Sequence, residues 1–409
     1  MSRFLVTDIG ELVTSAGGVK RGKEMQNVGV VKDGAFFVAD GIIEAVGTRE
    51  ELEKRYRGEE RLSCSGALVT AGFVDSHTHA VFGGERAEEF AMRLGGASYM
   101  SIMESGGGIA STVNATRAAT EEELVSSAKE HLGRMLSFGV TTAEVKSGYG
   151  LDLQTELKQL SAIRKLKEIQ SVELVSTYMG AHAVPEGTGA DEYIDRCVTE
   201  FLPKIAESGL AEFADVFCEK GVFSLAQSEK YLLRAKELGF KLKLHADEMC
   251  TFGGAGLAAK LGAHSADHLL KIGKEDIKRL AKSDTVATVL PLTAFCLGEE
   301  YAPARALIDG GAIVAAASDF NAGSCCTYSV PLMIALCCIY MKMSVEETLT
   351  ALTVNGAAAC GREKTVGSIE AGKQADFVVF SCNKKEFLPY YTGLNLVKSV
   401  FKKGVKVYG

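Results

Sequence analysis

The segment GFVDSHTHAVFGGER, residues 72–86, sets an apolar run directly ahead of two histidines, His77 and His79, separated by one threonine. On a β-strand, residues i and i+2 point to one face, so both imidazoles can aim at a single point if the strand continues through them. Two imidazoles that share a point are a metal-ligand pattern, although an isolated His-x-His is more often a pair of solvated strand-end histidines. The rest of the chain tips the balance. Tyr149 in KSGYG, His182 in GAHAVP, His245 and Glu248 in HADE, His268 in SADHL and Asp319 in SDFNAGS all follow apolar, β-branched runs. Six of the seven histidines fall at or near the ends of such runs, and only His131 sits within a helical pattern, where a solvated or partly packed ring is expected. A cluster of this kind supports metal-assisted chemistry, with acid, base and orienting groups gathered around an ion.

The elements that must position these residues are eight candidate strands: ALVTAGFVDSHTH, GVTTAEVKS, VELVSTYMGAH, EFADVFCE, FKLKLHADE, HSADHL, TVATVLPL and AIVAAASDF. They alternate with helical stretches, which predicts βα units and a parallel sheet. Eight such units close a (β/α)8 TIM-like barrel, whose active sites lie at the C-terminal strand ends, where the polar groups collect. Thr120 with Glu123 reads as a capping box opening ELVSSAKEHLGRMLSFG. Both chain ends are different in character. Residues 28–47 hold short β-rich runs punctuated by Asp33-Gly34 and Asp40-Gly41, and the last residues hold ADFVVF and VKSVFKKGVKVYG with a turn at Lys403-Gly404. The two ends are expected to pair into one small β-sandwich domain, residues 1–66 with 362–409, around a barrel domain of residues 67–361, the chain leaving the barrel near GRE at 361–363.

The bulk properties narrow the function class. A chain of 409 residues with 47% hydrophobic content can bury at least one large core. A net charge of −7 with both signs intermixed offers no basic stripe for nucleic acid and no polybasic membrane arm. VPLMIALCCIYM is too short to cross a bilayer, and MSRFLVTDIGE lacks the pattern of a signal peptide, so a cytoplasmic protein with a small-molecule substrate is expected. Eleven cysteines without C-x-x-C spacing suit a reducing compartment, mostly as small packing residues.

His-x-His on the first strand, histidines on the fifth and sixth and an aspartate on the eighth resemble the amidohydrolase superfamily, metal-dependent hydrolases with this barrel and a β-sandwich built from both chain ends. Within it, HTHAVFGGERAEEFAMRL, SGGGIASTVNATR, EVKSGYGL, YMGAHAVP, KLHADE, SADHL and SDFNAGS, in this order, closely resemble the imidazolonepropionase family of histidine degradation. The resemblance covers essentially the whole chain. It implies hydrolysis of the lactam C–N bond of 4-imidazolone-5-propanoate to N-formimidoyl-L-glutamate by a metal-activated water. By position, it implies His77, His79, His245 and Asp319 as metal ligands, and Arg86, Tyr149, His182, Glu248, Asn321, Gly323 and Ser324 as substrate contacts. Neutral imidazoles with one carboxylate suit a single transition metal, divalent or trivalent, Zn or Fe, that lowers the pKa of a bound water toward roughly 7. The catalytic roles fall to His268 on the carbonyl or water side, Glu248 at the ring nitrogens and in proton shuttling, and Asp319 as acceptor of the water's proton. The superfamily resemblance also suggests a homodimer.

Arg86 offers a planar fork for the propanoate tail, against the plainer reading of a salt bridge to Glu85, Glu88 or Glu89. Its place in the loop that follows His79 favours the fork. SGGGI at 105–109 lacks the Lys-Ser/Thr of a P-loop and is expected only to shape the pocket. Glu219 and Lys220 are expected to be a solvated charge pair, with one metal in the site, and Cys325 and Cys326 to be packing residues. Two other functions use the same scaffold: deamination of a purine- or pyrimidine-like ring, which would release ammonia, and a non-catalytic binding protein, which would show broken ligands.

Overall fold

The dipeptides Asp40-Gly41 and Lys403-Gly404 both adopt positive φ (51° and 80°, 48° and 73°), the backbone that a two-residue hairpin between twisted strands requires. They punctuate the β-rich chain ends of a computed structural model that describes residues 3–96 and 107–409. The N-terminal part holds β1 (Arg3–Val13), β2 (Val30–Lys32), β3 (Gly34–Ala39), β4 (Ile42–Thr48) and β5 (Glu60–Ala71). Next come β6 (Phe73–Asp75), β7 (Val140–Lys146), β8 (Glu173–Ala181), β9 (Phe213–Cys218), β10 (Lys241–Ala246), β11 (Ser265–His268), β12 (Val286–Val289) and β13 (Ile313–Ala316). The chain closes with β14 (Phe377–Phe380), β15 (Val397–Lys402) and β16 (Val405–Tyr408).

Both chain ends share one mixed sheet in the order β16-β15-β14-β5-β1-β3-β4, with β2 on β1. Its strands alternate. Phe4, Val6, Phe36 and Val38 bury on one face, while Leu5, Ala35 and Phe37 bury on the other with Leu52 and Tyr56. Residue 66 lies inside β5, which pairs with β14 until Ala71. The chain leaves this sheet at Gly72, where a Cβ would stand 2.2 Å from the Thr141 hydroxyl. Only glycine fits that approach, and the expected strand ALVTAGFVDSHTH is divided there between β5 and β6.

Strands β6 to β13 form a parallel sheet in strict sequence order. The seam between the first and last is nearly closed: Thr78 bridges Phe320, His79 donates its N–H to Phe320 O at 2.8 Å, and Asp319 donates to His77 O at 3.0 Å. The His-x-His segment therefore lies just past β6 rather than inside it, with Thr78 still in register between its neighbours. Helices cover the outside. Thr120 and Glu123 form the expected capping box for helix Glu121–Ser137, which buries Leu124, Ala128, Leu132 and Met135. Each buried Leu or Met of this kind contributes roughly 1.5–3 kcal/mol. TVATVLPL is strand only to Val289, and helix Pro291–Leu297 begins within it, its first turn opened by a proline. Among the described residues no helix is long and apolar enough to cross a membrane.

Candidate active site at the barrel mouth

His77, His79, His245 and Asp319 meet where β6, β10 and β13 end. His77 Nε2 lies 3.4 Å and His79 Nε2 3.7 Å from Asp319 Oδ1, and the Nε2 atoms of His79 and His245 are 3.4 Å apart. Bonds of about 2.0–2.2 Å arranged tetrahedrally put ligand atoms about 3.3–3.6 Å apart, so this spacing suits a divalent metal. A second observation agrees. His77 donates Nδ1–H to Asp267 Oδ2 at 2.7 Å, which leaves its Nε2 as a lone pair, and that buried atom has no hydrogen-bond partner. His245 likewise turns Nδ1 toward Asp215 Oδ2 at 3.1 Å. Carboxylates behind imidazoles in this way fix the tautomer that a metal needs. His268 also reaches the cluster, within 4.8 Å of ligand atoms on His77 and Asp319. Burial holds His77, His79 and His268 well below the ordinary histidine pKa, so all three are neutral.

Asp319 is buried, and that burial pushes its carboxyl up to about 7 against a hydrogen bond from Thr293 Oγ1 at 2.7 Å. Sequence reading missed Thr293. Asp319 and His268 both sit in left-handed backbone, φ 56° and 78°, which costs such residues about 1–3 kcal/mol each and persists at sites that surrounding bonds over-determine.

Two of the loops carrying chemical groups are tied to buried side chains. Glu156 accepts the amides of Gly148, Gly150 and Leu151, shaping the loop of Tyr149. Asp247 accepts those of Phe252, Gly253 and Ala255. Glu219 is fully buried, contrary to the expected solvated pair: it accepts the Met249 amide and the Cys250 thiol, clamping the chain just beyond Glu248. Glu248 itself faces His268 Nδ1 at 3.5 Å, and burial, with the charges of Asp319, Glu219 and Glu299, pushes it up to about 8.

His182 donates Nδ1–H to Gly148 O at 3.0 Å, leaving Nε2 an acceptor; burial lowers its pKa to about 3, and its ring stacks on His79 at 4.9 Å. Tyr149 packs beside both rings. Arg86 makes the salt bridge of its plainer expected reading. Its Nε pairs with Glu89 at 2.8 Å, while its guanidinium lies so close to Gly323 that a Cβ there would meet Nη1 at 1.9 Å. Arg93, not foreseen, donates to Gly323 O at 3.0 Å. Asn321 folds its own loop: Oδ1 accepts the Gly323 and Ser324 amides, and Nδ2 donates to Asp319 O.

A family model described as the amidohydrolase family matches residues 68–407. The chain is 52% identical to an imidazolonepropionase of Clostridium tetani over 99% of this chain and 98% of that one, and 53% identical to one of Parabacteroides distasonis over 98% of each. The chain belongs to the imidazolonepropionases of the amidohydrolase family. The amidohydrolase fold recurs in an adenosine deaminase structure from Xanthomonas campestris with bound zinc, TM-score 0.71 at 18% identity, covering 99% of this chain and 92% of that one.

Some elements of this amidohydrolase differ from expectation. Within SGGGI, Ser105 and Gly106 lie outside the described residues, and the Gly108 amide is taken by Glu89. Cys325 is buried as a packing residue, whereas Cys326 is exposed. His131 is partly packed, as expected, against Phe82, Phe320 and Tyr328.

Proposed function

We propose that this site hydrolyses the lactam C–N bond of 4-imidazolone-5-propanoate to N-formimidoyl-L-glutamate, with His77, His79, His245 and Asp319 as the ligands of one zinc or iron ion. The observation that carries the reading is the pairing of a metal-sized ligand set with the Arg86 guanidinium, which lies against Gly323 in the loop that follows Asp319. A metal-binding set with a cation on an adjoining loop suits a small ring with an anionic tail, and this agrees with the names of relatives about half identical over their whole length.

A metal bound here supplies Lewis acidity toward a water and toward a carbonyl oxygen. Asp319, held by Thr293, takes the proton of the attacking water. His268, neutral and buried, donates to the carbonyl oxygen as charge develops on it, a task for a preorganised dipole in a dry site. Glu248 gives its proton to the departing ring nitrogen, for which a carboxyl held near pKa 8 is suited. His182 Nε2 accepts a ring N–H, and Arg86 grips the propanoate. Water adds as hydroxyl to the carbonyl carbon and hydrogen to the nitrogen, so no ammonia leaves.

The test is a direct assay with freshly generated imidazolonepropanoate, following loss of substrate, appearance of formimidoylglutamate and ammonia. Turnover without ammonia supports the reading. Inertness toward this substrate, with ammonia release from an uncharged heterocycle, would replace it with the deaminase alternative.

A further inference from the structure

Helix Ala87–Leu94 follows Arg86 directly and buries none of its own residues, so no core contact of that helix sets the direction of the guanidinium. Polar contacts set it instead. Glu89, one turn on, takes the Arg86 Nε–H on Oε2 at 2.8 Å, and the same oxygen accepts the Gly108 amide at 3.0 Å. Gly108 is the N-cap of helix Ile109–Ala118, which buries Thr112, Val113 and Thr116. Glu89 therefore ties Arg86 to a helix that the core already holds. Arg93, a further turn along, fastens the same helix to Gly323 O at 3.0 Å. We propose that Glu89 is a positioning residue for substrate binding, which holds the Nε edge of Arg86 so that the Nη1–Nη2 edge is left to take the propanoate end-on.

A guanidinium offers a carboxylate two bidentate edges, Nε with one Nη or the two Nη together. Glu89 occupies the first, and among the described residues neither Nη atom has an acceptor. Nη1 rests against Gly323, where a Cβ would stand 1.9 Å away, so that only a glycine leaves the fork its place. Two donors on one oxygen restrain the Glu89 carboxylate in turn, and the N-terminus of a helix favours the negative charge lodged there. A competing effect has the opposite sign. Glu89 carries the same charge as the propanoate and repels it, so its removal would tighten binding if charge alone mattered. That repulsion acts across the width of the guanidinium and is screened at a solvent-facing mouth. An untethered arginine must be ordered as the substrate arrives, and a group misplaced by about 1 Å can cost on the order of 100-fold. Orientation outweighs repulsion.

The inference rests on Arg86 gripping the propanoate, and the experiment separates the two failures. Steady-state kinetics on imidazolonepropanoate are measured for the metal-loaded parent and for R86M, E89M, E89Q, E88Q and the double variant R86M/E89M. E89M keeps the length of the side chain without an acceptor, and E89Q keeps an uncharged one. Glu88 is exposed and serves as the control. The expected result is KM raised about 10-fold or more in E89M, by less in E89Q and not in E88Q, with kcat within about 3-fold of the parent in each. In the R86M background the change at Glu89 should add almost nothing, because it acts through Arg86 alone. With R86M impaired, a parent-like or lowered KM in E89M overturns the proposal, as does a loss confined to kcat. An undiminished loss in the R86M background, or an equal one in E88Q, overturns it too. Parent-like KM in R86M would instead remove Arg86 from the propanoate, and the role of Glu89 with it.

Discussion

Gly323→Ala should act on substrate binding through Arg86. A Cβ at this position would stand 1.9 Å from Arg86 Nη1 and 2.7 Å from its Cζ. Ordinary contact needs about 3.4 Å or more, so the guanidinium must retreat by roughly 1.5 Å, more than a hydrogen bond can stretch. The clash is with the far end of a flexible side chain and Gly323 does not need a left-handed backbone, so folding stability should change by less than about 1 kcal/mol. Binding should suffer far more. Losing the bidentate charge-assisted bonds to a propanoate costs about 2–4 kcal/mol, or tens- to several-hundred-fold in kcat/KM. Because the tail is held before and during ring opening, most of the loss should appear in KM. Steady-state kinetics on Gly323→Ala, Arg86→Met and the double variant close a cycle. If the methyl acts through Arg86, the double variant should be scarcely worse than Arg86→Met alone. Fully additive losses, or parent-like KM in Gly323→Ala, would refute the chain of reasoning.

Chelation should abolish turnover and one equivalent of Zn²⁺ or iron should restore it; full activity in protein shown to be metal-free would contradict the ligand assignment. His268→Ala should lower kcat at near-normal metal content, and joint loss of metal and activity would instead make His268 a ligand. Glu219→Gln keeps the shape of the clamp beyond Glu248 but weakens its acceptance of the Met249 amide, so kcat should fall about 10-fold with KM little changed, and an unchanged kcat would remove Glu219 from the catalytic framework. His264, whose pKa burial and then Lys241 and Lys243 lower to about 4, binds its proton more weakly folded than unfolded. Stability should therefore drop as pH falls from about 6.5 to about 4, by about 1–2 kcal/mol for this partly exposed ring; urea unfolding of His264→Gln at pH 7 and pH 5 should show a shallower drop than the parent.

The geometry of the metal cluster was legible because strand periodicity and the barrel's C-terminal rule both act on short stretches of chain. His77, His79, His245, His268 and Asp319 each close an apolar run, and the fold converts that local pattern into one point. Lys146, Asp215, Lys243 and Asp267 were not read as a unit. Each is a polar residue alternating with apolar ones, as in EVKS or FADV, a pattern that equally describes a strand with one face in water. Only the closed barrel shows that this face has no water. Glu156 and Glu219 were obscure for a related reason, since their partners are amides of loops whose path is set by tertiary packing. The division of the first long β-run was hidden because Gly72 gives no sign by itself that Thr141 will press against it.

The barrel seam has a consequence for biogenesis. Ser318 and Asp75, which bond across it, are 243 residues apart, and the proposed ligands His77 and Asp319 straddle the same gap. At a synthesis rate of roughly 5–20 residues per second, the N-terminal histidines wait on the order of 10–50 s for their carboxylate partner to emerge. A nascent chain can hold at most a partial set of donors during that interval. With the ligands proposed above, the complete donor set exists only once the eighth strand has emerged, and the chain that chaperones and proteases meet before then has its seam still open.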